Sequence, residues 1–508
     1  MTKELDLPDI QGNILQAFVS GYPTARFILL RFTGAASGRR FILEYRTKVT
    51  TALRWSASKL YAGPIRAARP KVAINLAITW DGFLALELPI RTLARMPPEF
   101  IEGMKARGSI LGDDVGNNKP ETWDPVWNDR AHMMIGLNAP MDPNTGKPVP
   151  ELDAETTFLL ELCAKHDITV MEGHRNPNPQ WQDASAILVQ NDATYLPVPQ
   201  EHFGFVDGIS NPVFEGQFGD TQADYANAIG NGKILSTGEW APLATGEFLL
   251  GHPDEAQETP DNTFPPEIMR NGTFLVYRKL HENVESFTKF IDATAESYAA
   301  IMSVSHKDAC DIVKAKMAGR WPDGVPLTVA PTIQEWRAFN SKRDPSNVLP
   351  LADFKYGDDP EGVKCPVTSH TRRTNTRDGL TGGSSALNNR RRILRRGLPY
   401  GVTSQDDTNE HGIVFMALCT SLSRQFEFMQ QQWINYGLDA NAGNDTCPFV
   451  GNREGDAKFL IPVDPEGEQA PFICSNIPQF VELRGGDYFF LPSMTALRMI
   501  GMGIVDPT

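Results

Sequence analysis

Scarcity narrows the reading of this chain of 508 residues before anything it contains. Its six cysteines, at 163, 310, 365, 419, 447 and 474, are too few for a disulfide framework and include no C-x-x-C pair for zinc or thiol exchange; most read as small core residues. No apolar run of about 18 residues is available to cross a bilayer. The opening MTKELDLPDIQGN has no apolar stretch of the kind a secretory leader needs. As written, the chain is therefore expected in the cytoplasm. If it is the mature form of a secreted protein, an extracellular address stays open, and Asn271-Gly-Thr273 and Asn444-Asp-Thr446 become candidate glycosylation sites. Positive charge is in deficit too: 48 basic against 62 acidic side chains leave a net charge of -14, so neither nucleic acid nor an anionic membrane is expected as a partner. The nine histidines include no H-E-x-x-H pair, which leaves a zinc hydrolase without support.

What is present is the composition of an ordinary globular protein, 41% hydrophobic and 22% charged. Its length suggests roughly two to four domain equivalents. The first third alternates strand and helix patterns. Arg26–Phe32, the cleanly alternating Val72–Trp80, His132–Leu137 and Ile168–Glu172 read as strands, and 39–60, 91–107 and 154–166 as helices. That β-α-β-β-α-β order predicts a ferredoxin-like antiparallel sheet with helices on one side. A second set follows, with strands at Phe274–Tyr277, Ile413–Leu418, Phe480–Leu483 and Tyr488–Leu491 and helices at 283–302, 307–318 and 424–435. The fold class is thus α+β, two similar units without a sequence repeat, divided near Pro197 and Pro199 into 1–198 and 199–508. The stretches 215–268 and 319–365, rich in Gly, Pro, Asp and Thr, carry no sustained period and read as loops that shape access to a site.

Three segments carry candidate chemistry. Gly204-Phe205-Val206-Asp207-Gly208 sets one carboxylate between glycines and aromatics, while His370 lies in CPVTSHTRRTNTR and Arg395 in ILRRGLPYG. Together they offer an imidazole to ligate iron, a carboxylate that stays a base in acid to manage the protons of peroxide, and a permanent cation for charge on a departing oxygen. Singly, each has a plainer reading: a structural histidine, a turn aspartate, a solvated arginine. The run Arg390, Arg391, Arg392, Arg395, Arg396 has a second reading as a nucleic-acid patch, which the acidic balance disfavours. Cys365 stays open as a thiolate iron ligand. Asp353, Asp358, Asp359 and Glu361 stay open as a solvated loop or as hard oxygen donors for Mn²⁺.

DIQGNIL (9–15), GFVDG (204–208), CPVTSHTRRTNTR (365–377), ILRRGLPYG (393–401), RQFEFMQ (424–430) and GDYFFLPS (486–493) run in one order over nearly the whole chain. In these motifs the sequence resembles the dye-decolorising peroxidases, in the longer subgroup of fungi and some bacteria. The resemblance implies two ferredoxin-like units with antiparallel sheets and one haem b held mainly by the C-terminal unit. It also implies H₂O₂-driven oxidation of dyes, phenols and other aromatic donors by one-electron steps through an oxo-ferryl intermediate. Carried onto this chain, it makes His370 the proximal iron ligand and Asp207 the distal acid. Arg395 becomes the distal arginine, with Arg396 the alternative, and Tyr400 the relay to bulky donors, with Trp433 a second candidate. Arg372, Arg373 and Arg377 would then meet the haem propionates, with Arg395 also a cofactor contact. Asp445, Glu427 and Glu454 are candidates for the group behind His370. The long 319–365 segment implies an altered rim. Two further readings are a haem-binding or haem-processing protein of the same fold with incidental peroxide turnover, and a non-enzymatic interaction protein.

Overall fold

The computed structural model describes residues 4–504 apart from 19–20, 56–65, 261–264, 441–442, 444, 454–456 and 464–468. Ten strands form one sheet: β1 (Thr24–Phe32), β2 (Ala73–Ile78), β3 (Met133–Ala139), β4 (Ile168–Val170), β5 (Gln182–Ser185), β6 (Thr273–Glu282), β7 (Leu394–Arg395), β8 (Leu398–Tyr400), β9 (Gly412–Cys419) and β10 (Val481–Leu491). Their order is β7-β9-β6-β10-β2-β3-β1-β4, with β8 beside β9 and β5 beside β1. The N-terminal half, β2-β3-β1-β4, is the expected ferredoxin-like arrangement, with α1 (Ala35–Tyr45) and α2 (Pro150–Lys165) as its crossovers. The C-terminal half repeats it: β6 is followed by α3 (Val284–Met302) and α4 (His306–Ala318), then β7 and β8, then β9, a helical segment over 422–434, and β10. The halves join where Phe490 of β10 faces Ile78 of β2, over a cluster of Phe83, Phe100, Phe274 and Phe490 rings that are all fully buried.

Five local expectations change. The 39–60 helix ends at Tyr45, and Arg54–Trp55 within that range is extended. The stretches 480–483 and 488–491 belong to one strand, β10, and Gly485-Gly486 between them is no turn. A Cβ on Gly485 (φ +130°) would stand 2.1 Å from the Trp127 ring, so glycine lets the strand pass beneath that indole. The strand Leu394–Tyr400 was not visible in the sequence because Arg395, Arg396, Gly397 and Pro399 interrupt its apolar pattern. As an edge it tolerates the proline. The 91–107 helix is broken into Ile90–Leu93, Pro98–Glu102 and Lys105–Arg107, since Pro97 and Pro98 lack the N–H a continuous helix would need. The 319–365 stretch is not all loop: α5 (Ile333–Lys342) starts on a capping box in which Thr332 accepts from the Glu335 N–H and Glu335 from the Thr332 N–H.

Candidate functional site

The C-terminal sheet half turns one face toward a cavity of about 330 Å³. Strand alternation chooses its floor: Arg278, Leu280 and Glu282 on β6 and Ile413 and Phe415 on β9 point the same way because each is two residues from the next. The walls come from loops and short helices that include Asp207, Arg320, His370, Arg377, Arg392 and Arg395, with Phe205, Met429 and Phe449 among the apolar lining.

Asp207 and Arg395, 188 residues apart, form an ion pair in this wall. The Asp207 turn is pinned by its own N–H to the Pro199 carbonyl (2.8 Å) and by the Val206 N–H to Pro322 (2.9 Å), and Gly204 and Gly208 both take the left-handed backbone it needs (φ +94° and +82°). Arg395 is aimed by edge strand β7, by its N–H to Asn211 Oδ1 (2.9 Å) and by Nη2 to the Ile209 carbonyl (3.1 Å). Both side chains keep accessible surface although they lie within the fold, because that surface belongs to the cavity wall. Burial pushes the Asp207 carboxyl up. The Arg395 charge and hydrogen bond, the Gly208 N–H and His370 outweigh it and hold the carboxyl below its usual range. Arg396 turns the other way, onto the carbonyls of Asn13 and Ile14, so of the two neighbours only Arg395 reaches the cavity.

His370 opens the one-turn helix α6 (His370–Thr374), and its Nδ1 lies 3.2 Å from Cys447 Sγ. None of the carboxylates expected behind the imidazole takes that place. Glu427 is held by Arg107 at 2.6 and 2.7 Å and by the Tyr488 hydroxyl at 2.8 Å, Asp445 offers its backbone carbonyl to Arg373, and Glu454 lies outside the described residues. Burial opposes charge on both partners, but each favours charge on the other: the thiol is drawn down to about 6, and the imidazole is raised, with Arg373 and the Val450 N–H adding to the pull on sulfur. Nothing in the local sequence around Cys447 marked it, since contact with His370 spans 77 residues.

Beside the imidazole, three buried guanidiniums converge on Ser210. Arg377 Nη2 reaches its Oγ at 3.0 Å, Arg320 Nη2 the same oxygen at 3.3 Å and Arg392 Nη2 its carbonyl at 3.1 Å. Their other hydrogen bonds go to carbonyls of Gly230, Asn231, Gly232, Gly324, Leu351 and Phe354. Among the described residues no carboxylate pairs with any of the three. Burial lowers Arg320 to about 10, Arg377 to about 9 and Arg392 to about 10; Tyr356 opposes it for the first two, while neighbouring arginines add to it for all three. Such uncompensated buried cations are costly unless an anion joins them. The sequence pointed to Arg377 as a propionate contact and to Arg392 only as part of the arginine run, and gave no sign of Arg320.

Behind Asp207, Glu201 and Glu282 share a hydrogen bond. Burial holds both carboxyls above the usual range; the charge of Asp207 adds to it for both, and the charge of Glu201 adds to it for Glu282.

Several expected contacts are not made. Arg372 does not line the cavity. It is buried against Asp359 (2.9 Å) and the Cys365 carbonyl (2.6 Å), because α6 turns it toward the 356–365 loop. Arg373 likewise serves the carbonyls of Thr368 and Trp433. Asp359 is therefore a buried ion-pair partner rather than part of a solvated loop. Cys365 sits in a separate apolar cluster with Trp321 and Tyr356, 3.3 Å from Ser369 Oγ, and does not face the cavity. Tyr400 does not line the cavity either and is 2% exposed, with Lys279 over its ring at 4.9 Å, so it offers no surface to a bulky donor. Trp433 is buried as well. The basic run is dispersed: Arg390 pairs with Asp254 and Arg391 stacks on Phe428, so no arginine patch remains. Asn271 is buried and bonded to Asp9 and His252, unfit for a glycan, and Asn444 lies outside the described residues. No helix among the described residues is long and apolar enough to cross a membrane.

Comparisons with known proteins point to one family. The family model described as Dyp-type peroxidase, C-terminal, matches residues 317–462, a span that holds His370, Arg377, Arg392, Arg395 and Cys447. The chain is 27% identical to the multifunctional dye peroxidase DyP2 of an Amycolatopsis species, over 97% of this chain and 96% of that one. It is 28% identical to the dye-decolorizing peroxidase msp1 of Mycetinis scorodonius, over 98% and 88%. Among solved structures it is similar to a decolorizing peroxidase from Auricularia auricula-judae, with a TM-score of 0.73 at 22% identity over 99% of this chain and 100% of that one. A dye-decolorizing peroxidase solved in complex with 2,6-dimethoxyphenol matches with a TM-score of 0.72 at 22% identity, over 98% and 100%.

Proposed function

We propose that this chain, similar over nearly its whole length to dye-decolorising peroxidases and matched by their C-terminal family model over 317–462, uses H₂O₂ to oxidise dyes, phenols and related aromatic donors in one-electron steps, with one haem b per chain in the cavity that His370, Asp207 and Arg395 line. The observation that carries this reading is the donor set: an imidazole and three buried guanidiniums without carboxylate partners share one largely apolar cavity. An iron porphyrin needs that combination, a nitrogen for the metal, apolar walls for the ring and cations for two propionates. Haem, when bound, supplies the redox centre that accepts oxidising equivalents from peroxide and hands them on singly.

The protein's part is positioning, proton handling and charge. His370 Nε2 would hold the iron while Nδ1–H donates to Cys447 Sγ, an acceptor that fixes the ring's orientation and raises its basicity. Arg320, Arg377 and Arg392 would hold the propionates. Asp207, ionised well into acid, takes a proton from one peroxide oxygen and returns it to the other, which leaves as water. Arg395 supports this twice: it keeps Asp207 anionic and ready, and its fixed N–H groups stabilise charge on the departing oxygen. Glu201 and Glu282, whose carboxyls burial holds above the usual range, line the same cavity.

An absorption spectrum before and after one equivalent of H₂O₂ tests the reading. The expected result is a Soret band on reconstitution with haem, a spectral change complete within rapid mixing, and its reversal by a phenol. A protein without the band would not be a haem protein, and a band without the rapid change would demote peroxide turnover to an incidental reaction.

A further inference from the structure

On the helices of the C-terminal half, α3 and α4 bring Asp292, His306 and Cys310 together. We propose that these three side chains form a zinc site, distinct from the haem cavity, none of whose lining residues they are.

The geometry is close to what the ion requires. Cys310 Sγ lies 3.7 Å from Asp292 Oδ1 and 3.8 Å from His306 Nδ1, and all three ligand atoms fall within 4.8 Å of one another. With Zn–S of about 2.3 Å and Zn–N or Zn–O of about 2.0–2.1 Å, tetrahedral angles place sulfur about 3.5–3.6 Å from each partner atom. The two sulfur edges exceed that by a few tenths of an ångström, within reach of small rotamer shifts.

The local fold builds this arrangement. His306 and Cys310 are four residues apart at the start of α4 and so share one face, and the Ser305 side chain caps that helix by accepting from the Asp308 N–H. Asp292 comes from the neighbouring helix α3. The imidazole is already oriented: Nε2 bonds the Asp292 backbone carbonyl at 3.2 Å. Donating that N–H leaves the lone pair of the neutral ring on Nδ1, toward the other two ligands, as metal-binding histidines commonly have it. The donor set selects the metal. Thiolate with imidazole and one carboxylate suits zinc better than the all-oxygen shells of Ca²⁺, Mg²⁺ or Mn²⁺. Two anionic ligands and a neutral one neutralise a dication, and the thiol proton is released as the metal–sulfur bond forms. Asp292 and His306 are exposed and Cys310 partly so, which gives the ion an entry path and leaves a fourth position for water. Bound metal would tie α3 to α4 across their packed faces.

Cys310 is the one cysteine of the six that is not buried, so alkylation reads this site alone. The full-length haem-loaded protein, stripped of adventitious metal by a chelator, would be titrated with Zn²⁺ while iodoacetamide labelling of Cys310 is followed. Free Zn²⁺ at about ten times its Kd should slow labelling about tenfold, with one zinc counted per chain in addition to the iron. Co²⁺ should bring a thiolate-to-metal absorption band that Cys310→Ser removes. His306→Ala should abolish protection and Asp292→Asn weaken it, with peroxidase turnover unchanged in both. Labelling indifferent to Zn²⁺, or zinc binding that survives both Cys310→Ser and His306→Ala, would overturn the proposal and leave the trio a hydrogen-bonded surface cluster.

Discussion

The two halves of the sheet share one strand order, yet the cavity of about 330 Å³ lies against the C-terminal one. In the N-terminal half the chain from α1 to β2 runs through residues 46–72 and the helices close directly on the sheet, with Phe41, Ile42 and Tyr45 fully buried. In the C-terminal half the same connection, from α4 to β7, runs through 319–393 and brings α5, α6, His370 and the Ser210-facing arginines. Its sheet face presents Arg278 and Glu282 to that cavity, whereas Arg26 on the corresponding strand β1 is taken up by Asp153 and Asp183. A topology that packs itself shut with a short crossover thus becomes a container when the crossover is long and polar. The C-terminal half thereby carries buried guanidiniums that no carboxylate among the described residues pairs.

His370→Ala should break this contrast most severely: the protein folds, but the Soret band and iron content on reconstitution fall to background. Arg395→Leu should keep the cofactor and slow the reaction with peroxide about a hundredfold, on the order of 3 kcal/mol, as loss of a preorganised donor does. It carries a pH signature as well. Asp207 must be ionised to act, and Arg395 is what holds its carboxyl below the ordinary value of about 4. In the parent the rate should hold as pH falls through that value and drop only below it; in the variant burial wins and the acid limb moves to higher pH. A stopped-flow profile that kept its acid limb in place would separate the two groups' roles.

Leu76→Ala, in the fully buried β2, probes the other half. It should cost about 2–5 kcal/mol of stability and lower Tm, while haem content and the peroxide rate stay as in the parent; a lost Soret band there would mean the halves do not divide the labour. Cys447→Ala removes the acceptor at Nδ1. The ferric/ferrous potential should rise because a less basic imidazole stabilises the ferric state less, and spectroelectrochemistry showing no rise would make the thiol a packing group. Smallest of all, Tyr400→Phe should alter neither small nor bulky donor oxidation, since the ring is buried and its hydroxyl has no hydrogen-bond partner among the described residues. A selective loss with bulky dyes would restore it as a relay.

Much of the fold was legible because repetitive backbone converts spacing into direction. Val72–Trp80 alternates, and β2 occupies its centre; Phe158, Leu159 and Leu162 recur at helical spacing, and α2 is there. Legibility failed where glycine or proline broke the period without ending the element, as at Gly485-Gly486 and Arg395–Pro399. It failed too where a capped helix, α5, sat in a stretch that composition alone made a loop, although Thr332-x-x-Glu335 was a readable start signal.

At the site, the chain's own letters determined the chemistry on offer: an imidazole, an acid between glycines and a surplus of arginine in a few segments. Only folding in three dimensions decided which of those arginines face the cavity, that a thiol rather than a carboxylate backs His370, and that Tyr400 is shut away from solvent. The reason is physical. His370 to Arg377 and Arg390 to Arg396 lie in short turns and edge strands, where side-chain direction is set by partners such as Asp207, Ser210, Asp359 and Asn13 that are distant or irregular in sequence, and no local period encodes them.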